Sequence, residues 1–190
     1  MRVIAGTYRS RILKSLEGLA LRPTSDRLRE TLFNVLAPNI AGSRFVDLFA
    51  GTGAIGIEAL SRGASDVVFI ENHAPAATLI RRNLESLGIN SGVTVLAVDA
   101  LRGLALLASR KLPSAPGYDC VFLDPPYAAA EDYSRVLEFL GTADLLSPGG
   151  IVIAEHRRNF DLPEEAGALR RFRVLRQGDA ALSFYRRLPL

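Results

Sequence analysis

The chain has 190 residues, 48% of them hydrophobic, and a formal net charge of +3 at pH 7. This length and composition predict one globular domain with a substantial core and at most a short extension. The single cysteine, Cys120, excludes an intrachain disulfide and a thiolate metal cluster, and with only two histidines we expect no metal site. The sequence contains no apolar run of membrane-spanning length and no signal-peptide pattern, so we expect a cytoplasmic protein, without membrane association.

Positive charge is concentrated at the amino terminus. Residues 1–30 carry a net charge of +4, which leaves −1 for the rest of the chain. A basic arm on a nearly neutral domain favours a polyanion partner bound through its phosphates, although a solvated charged face would have the same composition.

Residues 2–13 are predicted to form a short β-hairpin whose tip carries Tyr8, Arg9 and Arg11. An aromatic ring between two guanidinium groups suits base stacking and phosphate contacts, and the alternative is an exposed tip without a role. An amphipathic helix follows within residues 22–36, with an N-cap among residues 24–26. We expect RNA contacts from the tip and from the arginines near the helix start, which are Arg22, Arg27 and Arg29.

Residues 45–56 form the central motif, an apolar strand that enters a glycine turn and then a helix. Gly51, Gly53 and Gly56 have the G-x-G-x-x-G spacing of a dinucleotide fingerprint, and Glu71 follows where a ribose-binding acid is expected. The pattern predicts a nucleotide-like ligand without identifying it. Asp47, at the end of the strand, would repel a pyrophosphate and suits a ligand with ammonium or sulfonium groups. S-adenosylmethionine carries both groups.

Downstream, strands alternate with helices. Strands are predicted at 67–70, 93–98, 118–123 and 151–155, and a carboxy-terminal hairpin at 172–176 and 181–185. We therefore predict a Rossmann-like, doubly wound α/β fold with a mostly parallel seven-stranded sheet, an antiparallel C-terminal hairpin, and an N-terminal hairpin and helix extension. The extension, residues 1–40, would contact RNA and cover the cofactor, and residues 41–190 would form the catalytic domain.

Acidic residues close four successive predicted strands, and we expect them to line one edge of the sheet: Asp47, Glu71, Asp99 and Asp124. The last is followed by Pro125, Pro126 and Tyr127. Two prolines remove two N–H donors, which leaves a rigid wall of acceptors beside an aromatic ring. Such a wall complements the exocyclic amine of a nucleobase and would direct its lone pair at a methyl group on a neighbouring sulfonium.

These motifs resemble class I S-adenosylmethionine-dependent methyltransferases, and more narrowly the bacterial family of 16S ribosomal RNA guanine-N2 methyltransferases. The resemblance covers the basic hairpin, the Arg22-Pro23-Thr24 helix start, the turn at 47–56 and the motif at 124–127, although Ala5 and Ser10 stand where glycines are expected. It implies a monomeric enzyme acting on 16S RNA in a small-subunit intermediate, with residues 124–127 holding a flipped guanine. It also implies a cofactor site formed by Asp47, Phe49, Gly51, Thr52, Gly53, Glu71, Asn72, Asp99 and Ala100.

Three alternatives remain open from the sequence. A nicotinamide-dependent oxidoreductase would use the same glycine pattern but gives no role to the Pro-Pro-Tyr wall. An adenine-N6 methyltransferase acting on DNA or RNA shares the Asp-Pro-Pro-Tyr motif, although a DNA enzyme would need room for a recognition insert. A catalytically inactive RNA-binding module would not need the row of acidic residues at the strand ends.

Overall fold

The computed structural model describes residues 1–15, 25–109, 117–126 and 130–188. None of the helices found there has both the length and the apolar composition that a membrane span requires. The elements in chain order are α1 (Asp26–Leu36), β1 (Arg44–Leu48), α2 (Ala54–Ser61), β2 (Asp66–Ile70), α3 (Ala74–Ser86), β3 (Val93–Leu96), α4 (Ala100–Ser109), β4 (Tyr118–Leu123), α5 (Ala130–Thr142), β5 (Leu146–Arg157), β6 (Glu165–Ala166), β7 (Leu169–Gln177) and β8 (Ala180–Arg187).

The chain divides into two compact units, Met1–Val98 and Asp99–Leu190. In the first unit β1 and β3 both pair with β2, and all three strands are parallel. In the second unit β4 pairs in parallel with β5, and β8, β7 and β6 then continue the sheet in antiparallel order. The first unit contains the amino-terminal segment and α1 together with β1–β3, and the predicted boundary at residue 40 stays a prediction.

The core of the first unit follows from its apolar runs. Phe45, Val46 and Leu48 of β1 are fully buried, as are Val67 and Phe69 of β2. Strands that are buried on both faces read as continuous apolar segments, which is the usual pattern of a parallel sheet between helices. Helix α1 begins after Ser25, whose hydroxyl oxygen accepts the N–H of Leu28 at 3.2 Å as an N-cap.

The predicted α/β class is confirmed, and the described residues form eight strands where seven were predicted. The additional strand, β6, has two residues, which is too short for an alternating pattern to be detected in the sequence. Strand β5 begins at Leu146 instead of Ile151, because the segment predicted as a turn at residues 148–150 is an irregularity within the strand. The amino-terminal hairpin is reduced to one antiparallel bridge between Arg2 and Ile12.

Candidate active site

The glycine turn joins β1 to α2 through three left-handed residues. Phe49 has φ 60°, Gly51 φ 54° and Gly53 φ 77°. A side chain at Gly51 would meet nothing closer than the Phe49 carbonyl oxygen, at 3.9 Å, so open space faces this position. A phenylalanine with positive φ is uncommon, and such strained residues concentrate at ligand sites. Together these features indicate that a ligand approaches the backbone of the turn.

Gly56, the third glycine of the motif, has a packing role. A Cβ atom there would lie 2.3 Å from the ring of Phe69 on β2. The missing side chain therefore lets α2 approach the sheet closely. The dinucleotide pattern thus combines one glycine that leaves space for a ligand, Gly51, with one that leaves space for β2.

Asp47 lies at the centre of this region and is 1% exposed. Its Oδ2 atom accepts the N–H of Gly56 at 2.9 Å. Burial raises the pKa of the Asp47 carboxyl to about 8; the Gly56 hydrogen bond lowers the pKa and the nearby Glu71 carboxylate raises it. A buried carboxyl of this kind favours a cationic ligand, which would stabilise its ionised form.

Glu71 follows β2 and holds the turn from the other side. Its Oε2 accepts the N–H of Gly51 at 2.7 Å and its Oε1 accepts the N–H of His73 at 2.8 Å. Carboxylate oxygens each have more than one lone pair, so these bonds leave capacity for ligand hydroxyls. The next residue, Asn72, is exposed. Glu71 therefore both fixes the turn and keeps acceptors for a ligand.

Asn83 of α3 is a site residue that sequence reasoning missed. Its side chain is fully buried, and its Nδ2 donates to the carbonyl oxygens of Thr52 at 3.1 Å and of Lys14 at 3.2 Å. Its Oδ1 accepts the N–H of Lys14 at 2.9 Å. The Thr52 hydroxyl also donates to the Met1 sulfur at 3.7 Å. The sequence feature that could have identified Asn83 is its position, as an asparagine on the apolar face of a predicted helix.

In the second unit, Asp99 and Ala100 begin α4. Asp99 is exposed, and its Oδ1 accepts the N–H of Arg102 at 2.9 Å, while Ala100 is 7% exposed. This is the geometry of a helix N-cap. This geometry does not test whether the strand-end acids line one edge of the sheet, or whether Asp99 and Ala100 contact adenine. Both stay predictions.

Asp124 follows directly after β4, with its side chain half-buried. Pro125 is buried and Pro126 is exposed, whereas Tyr127 lies outside the described residues. In β4 itself, Cys120 is 1% exposed, and burial raises the pKa of its thiol to about 12. Cys120 is therefore a core residue and not a nucleophile. Among the residues that the structure describes, no group of three or more His, Cys, Asp and Glu could hold a metal ion.

The family model described as "Conserved hypothetical protein 95" matches residues 1–186. YlbH of Bacillus subtilis is 36% identical over 187 residues, 98% of this chain and 99% of that protein. A Haemophilus influenzae protein named "Ribosomal RNA small subunit methyltransferase D" is 41% identical over 164 residues, 85% of this chain and 81% of that protein. The chain belongs to this methyltransferase D family.

The fold comparison agrees with this family membership. The solved structure of yhhF from Escherichia coli is 30% identical and superposes with a TM-score of 0.85, covering 98% of this chain and 97% of that one. The family and the Rossmann-like α/β fold that the sequence predicted are both confirmed.

The amino-terminal segment is attached to α2, the helix that the glycine turn opens. Glu58, 0% exposed, accepts the N–H of Ile4 at 2.8 Å and the N–H of Ala5 at 3.0 Å. Ser61 accepts the N–H of Thr7 on its carbonyl oxygen at 2.8 Å. Helix α2 therefore joins the glycine turn at one end to the segment that carries the predicted RNA-binding tip at the other, over about 12 Å for its length.

The hairpin tip borders a cavity of about 290 Å³ in the first unit. Tyr8 lies half-buried in its wall, opposite backbone and polar side chains of residues 64–65 and 88–92. Arg9 and Arg11 are exposed beside it, and Arg11 donates to the carbonyl oxygen of Ser86 at 3.3 Å. The predicted RNA contacts of these three tip residues stay predictions.

The arginines near α1 differ in their environments. Arg27 is exposed, and Arg22 lies outside the described residues. Arg29 is fully buried, and its Nη2 donates to Asp26 at 2.7 Å and to the carbonyl oxygen of Arg2 at 2.8 Å. Burial lowers the pKa of the Arg29 guanidinium despite the Asp26 carboxylate. The prediction that Arg29 contacts RNA is therefore wrong, because its side chain is committed to packing α1 against the amino terminus.

Proposed function

We propose that this protein transfers a methyl group from S-adenosylmethionine to the exocyclic N2 amine of a guanine in 16S ribosomal RNA. The single observation that carries the proposal is the Asp124-Pro125-Pro126 sequence directly after β4, in a chain of the small-subunit methyltransferase D family. The substrate would be an assembling small ribosomal subunit, and the enzyme would act as a monomer in the cytoplasm.

The residues of the first unit fit a ligand with a sulfonium and an ammonium group. S-adenosylmethionine supplies an electrophilic methyl group bound to sulfonium. Asp47 would complement the positive charges, which would keep its carboxylate ionised. Glu71 would accept hydrogen bonds from the ribose hydroxyls, and the open backbone at Gly51 leaves room for the methionine part. Phe49, Thr52, Gly53 and Asn72 would complete this part of the site, and Asp99 with Ala100 would bind the adenine.

On the acceptor side, Asp124 would accept a hydrogen bond from the guanine amine, together with the carbonyl oxygen of Pro125. The amine lone pair is delocalised into the base and is a weak nucleophile. Holding its hydrogens in an acceptor-only wall would favour tetrahedral nitrogen and orient the lone pair for attack. Asp124 would also accept the proton that the nitrogen loses. Tyr127 would stack on the extruded base.

The decisive experiment is to incubate the protein with methyl-labelled S-adenosylmethionine and small subunits from a strain that lacks the modification. Nuclease digestion and mass spectrometry then identify the labelled base. We expect label on one guanine at N2. Label on adenine N6 would support the adenine methyltransferase, and reduction of a nicotinamide cofactor without labelling would support the oxidoreductase.

Asp124→Ala tests the acceptor role. We expect methyl transfer to fall at least a thousandfold, on the order of the loss of one transition-state contact plus a proton acceptor, while the Kd for S-adenosylmethionine changes less than about tenfold. Asp161→Ala is the matched control, because the Asp161 side chain is 97% exposed and lies in the same unit. An Asp124→Ala enzyme with normal turnover would refute the assignment.

A further inference from the structure

Strand β7 contains a bulge that exposes an aromatic ring. In the β7–β8 ladder Arg171 lies opposite Tyr185 and Arg173 lies opposite Phe184, so Phe172 is an extra residue without a partner. Phe172 is 45% exposed, whereas Phe184 and Tyr185 beside it are fully buried. A β-bulge is a means of redirecting a side chain, and bulges are common next to functional sites.

Arginines surround this exposed ring. The Arg186 guanidinium lies over the Phe172 ring, 5.0 Å from its centroid. Arg173, which lies opposite Phe184 in the ladder, is exposed on the same face of the hairpin. Arg170 lies directly opposite Arg186 in the ladder, and like charges in such a pair destabilise a sheet. The hairpin therefore keeps an unfavourable concentration of positive charge around an exposed apolar ring.

Most of this charge has no neutralising partner among the residues that the structure describes. Arg173 and Arg186 form no ion pair with any of them, and Arg170 has only Glu165, at 3.6 Å between exposed side chains. Their neighbours in the same strands differ. Arg171 is paired with Asp161 and Glu164, and Arg187 with Asp144. The half-buried arginines of this hairpin thus have acidic partners, whereas the exposed Arg173 and Arg186 have none.

We propose that the β7–β8 surface, defined as Arg170, Phe172, Arg173 and Arg186, binds an unpaired segment of the RNA substrate. The arginines contact successive phosphates, and one base stacks on the Phe172 ring. Guanidinium groups bind phosphate oxygens bidentately, and an exposed aromatic ring stacks on any base. A purely apolar partner would leave the arginines unpaired, and phosphates alone would leave the ring exposed, whereas an unpaired RNA segment uses both features.

This inference rests on the proposed function, since it assumes an RNA substrate. It adds a contact surface in the second unit, whereas the charge distribution of the sequence indicated RNA contacts only in residues 1–30. The surface is also separate from the Asp124 motif in the sequence, so its variants can be tested for RNA affinity without changing that motif.

The first test measures the affinity for protein-free 16S RNA over a range of salt concentrations. For Arg173→Gln, we expect the slope of log K against log salt to fall by about 0.7. Phe172→Ala should weaken binding on the order of tenfold with the slope unchanged, because stacking carries no charge, and Phe172→Tyr should restore binding. Arg176→Gln, an exposed arginine of the same strand on the opposite face of the sheet, is the charge-matched control. Unchanged affinity and slope in both surface variants would overturn the proposal.

A second measurement does not depend on loss of binding. The chain has no tryptophan, so Phe172→Trp introduces a single indole. We expect RNA to quench its fluorescence, and not that of Arg176→Trp on the opposite face of the same strand. Absence of quenching at saturating RNA would contradict base stacking at this position.

The two proposals can fail separately. If the wild-type protein methylates subunits and the surface variants bind RNA normally, only this inference fails. If the wild-type protein methylates nothing, the proposed function fails whatever the variants show.

Discussion

At the scale of single residues, Asp47 is the position where folding and ligand binding are in conflict. A carboxyl that is 1% exposed is destabilising when ionised, and burial raises its pKa from the ordinary 3.8 to about 8. Between these two values the unfolded chain releases the proton and the folded protein retains it. Stability must therefore fall as pH rises from about 4 to about 8.

Asp47→Asn should remove this pH dependence while it abolishes the charge that a sulfonium ligand needs. We expect the variant to have a higher Tm than the wild type at pH 8, and the Tm difference to shrink towards pH 5. The Kd for S-adenosylmethionine should rise at least tenfold. Thermal unfolding from pH 5 to 8 and calorimetric titration measure the two effects. Asp66→Asn, at the start of β2, is the control, and a variant whose Tm follows the wild-type pH profile would contradict the assignment.

Residue-level reasoning from the sequence failed for Arg29 and stays untested for Asp47. The strand-end position and charge of Asp47 predict a cationic ligand, and the structure places this carboxyl beside the glycine turn, but its contact with the ligand stays a prediction. Arg29 was interpreted by its charge alone. Its spacing to Leu32, Phe33 and Leu36 already places it on the apolar face of the helix, as its burial shows.

At the scale of elements, α2 connects the glycine turn, where we expect the cofactor, to the amino-terminal segment, where we expect RNA. Its first turn follows the glycine turn, and its last turn holds the amino-terminal segment through Glu58 and Ser61. Glu58 is also bonded to Arg62 at 2.7 Å, and the Arg62 guanidinium lies 5.1 Å from the centroid of the Phe33 ring. Helix α1 and the hairpin are thus attached to the same short helix.

Glu58→Gln tests this attachment. The amide keeps one acceptor oxygen but cannot accept both the Ile4 and the Ala5 N–H groups, and it loses the charge facing Arg62. We expect a loss of about 1–3 kcal/mol in the free energy of unfolding. Tryptic cleavage at Arg9 and Arg11 should accelerate, with the S-adenosylmethionine Kd changed less than about threefold. Glu85→Gln is the control, and cleavage at the wild-type rate would show that the carboxylate does not hold the segment.

The order of elements was predictable because apolar runs, glycine caps and proline starts agreed with one another along the chain. Strand β4 was predicted with the bounds that the structure has, Tyr118–Leu123. The differences occur where a short pairing leaves no pattern, as in β6, or where glycine lets a strand continue through an irregularity, as at Gly149 in β5. Asn83 escaped notice because its partners are backbone groups, which have no signature in the sequence.

At the scale of the whole molecule, burial separates structural arginines from the exposed arginines that are predicted to bind RNA. Sequence composition indicated only that the amino-terminal region is basic. Burial divides that set, because Arg29 is enclosed while Arg9, Arg11 and Arg27 are exposed. Side-chain exposure also identifies the β7–β8 surface. Net charge did not indicate this surface, because acidic residues elsewhere in the second unit offset its positive charge.

Arg27→Gln and Arg29→Gln form a matched pair that tests this separation. Arg27→Gln should reduce the salt slope of RNA binding by about 0.7 and leave the Tm unchanged. Arg29→Gln should lower the free energy of unfolding by about 1.5–3 kcal/mol, since it removes a charged hydrogen bond, and leave the slope unchanged. Filter binding and thermal unfolding distinguish the two. If Arg29→Gln reduced the salt slope of RNA binding without lowering stability, the Arg29 side chain would have to leave its buried position and contact RNA in the complex.

The close contact of Gly6 with α2 limits how this enzyme could acquire a new target. A Cβ atom at Gly6 would lie 1.8 Å from the Ser61 carbonyl oxygen, and the residue has φ 83°, so only glycine is compatible with the docked backbone. The side chains of Arg9 and Arg11 are exposed and carry no such restriction, whereas the φ of 67° at Ser10 limits which residues that position can accept. Evolution or laboratory selection could therefore diversify the two arginine positions of the tip for other RNA sequences, provided that the glycine anchoring it to the catalytic scaffold is retained.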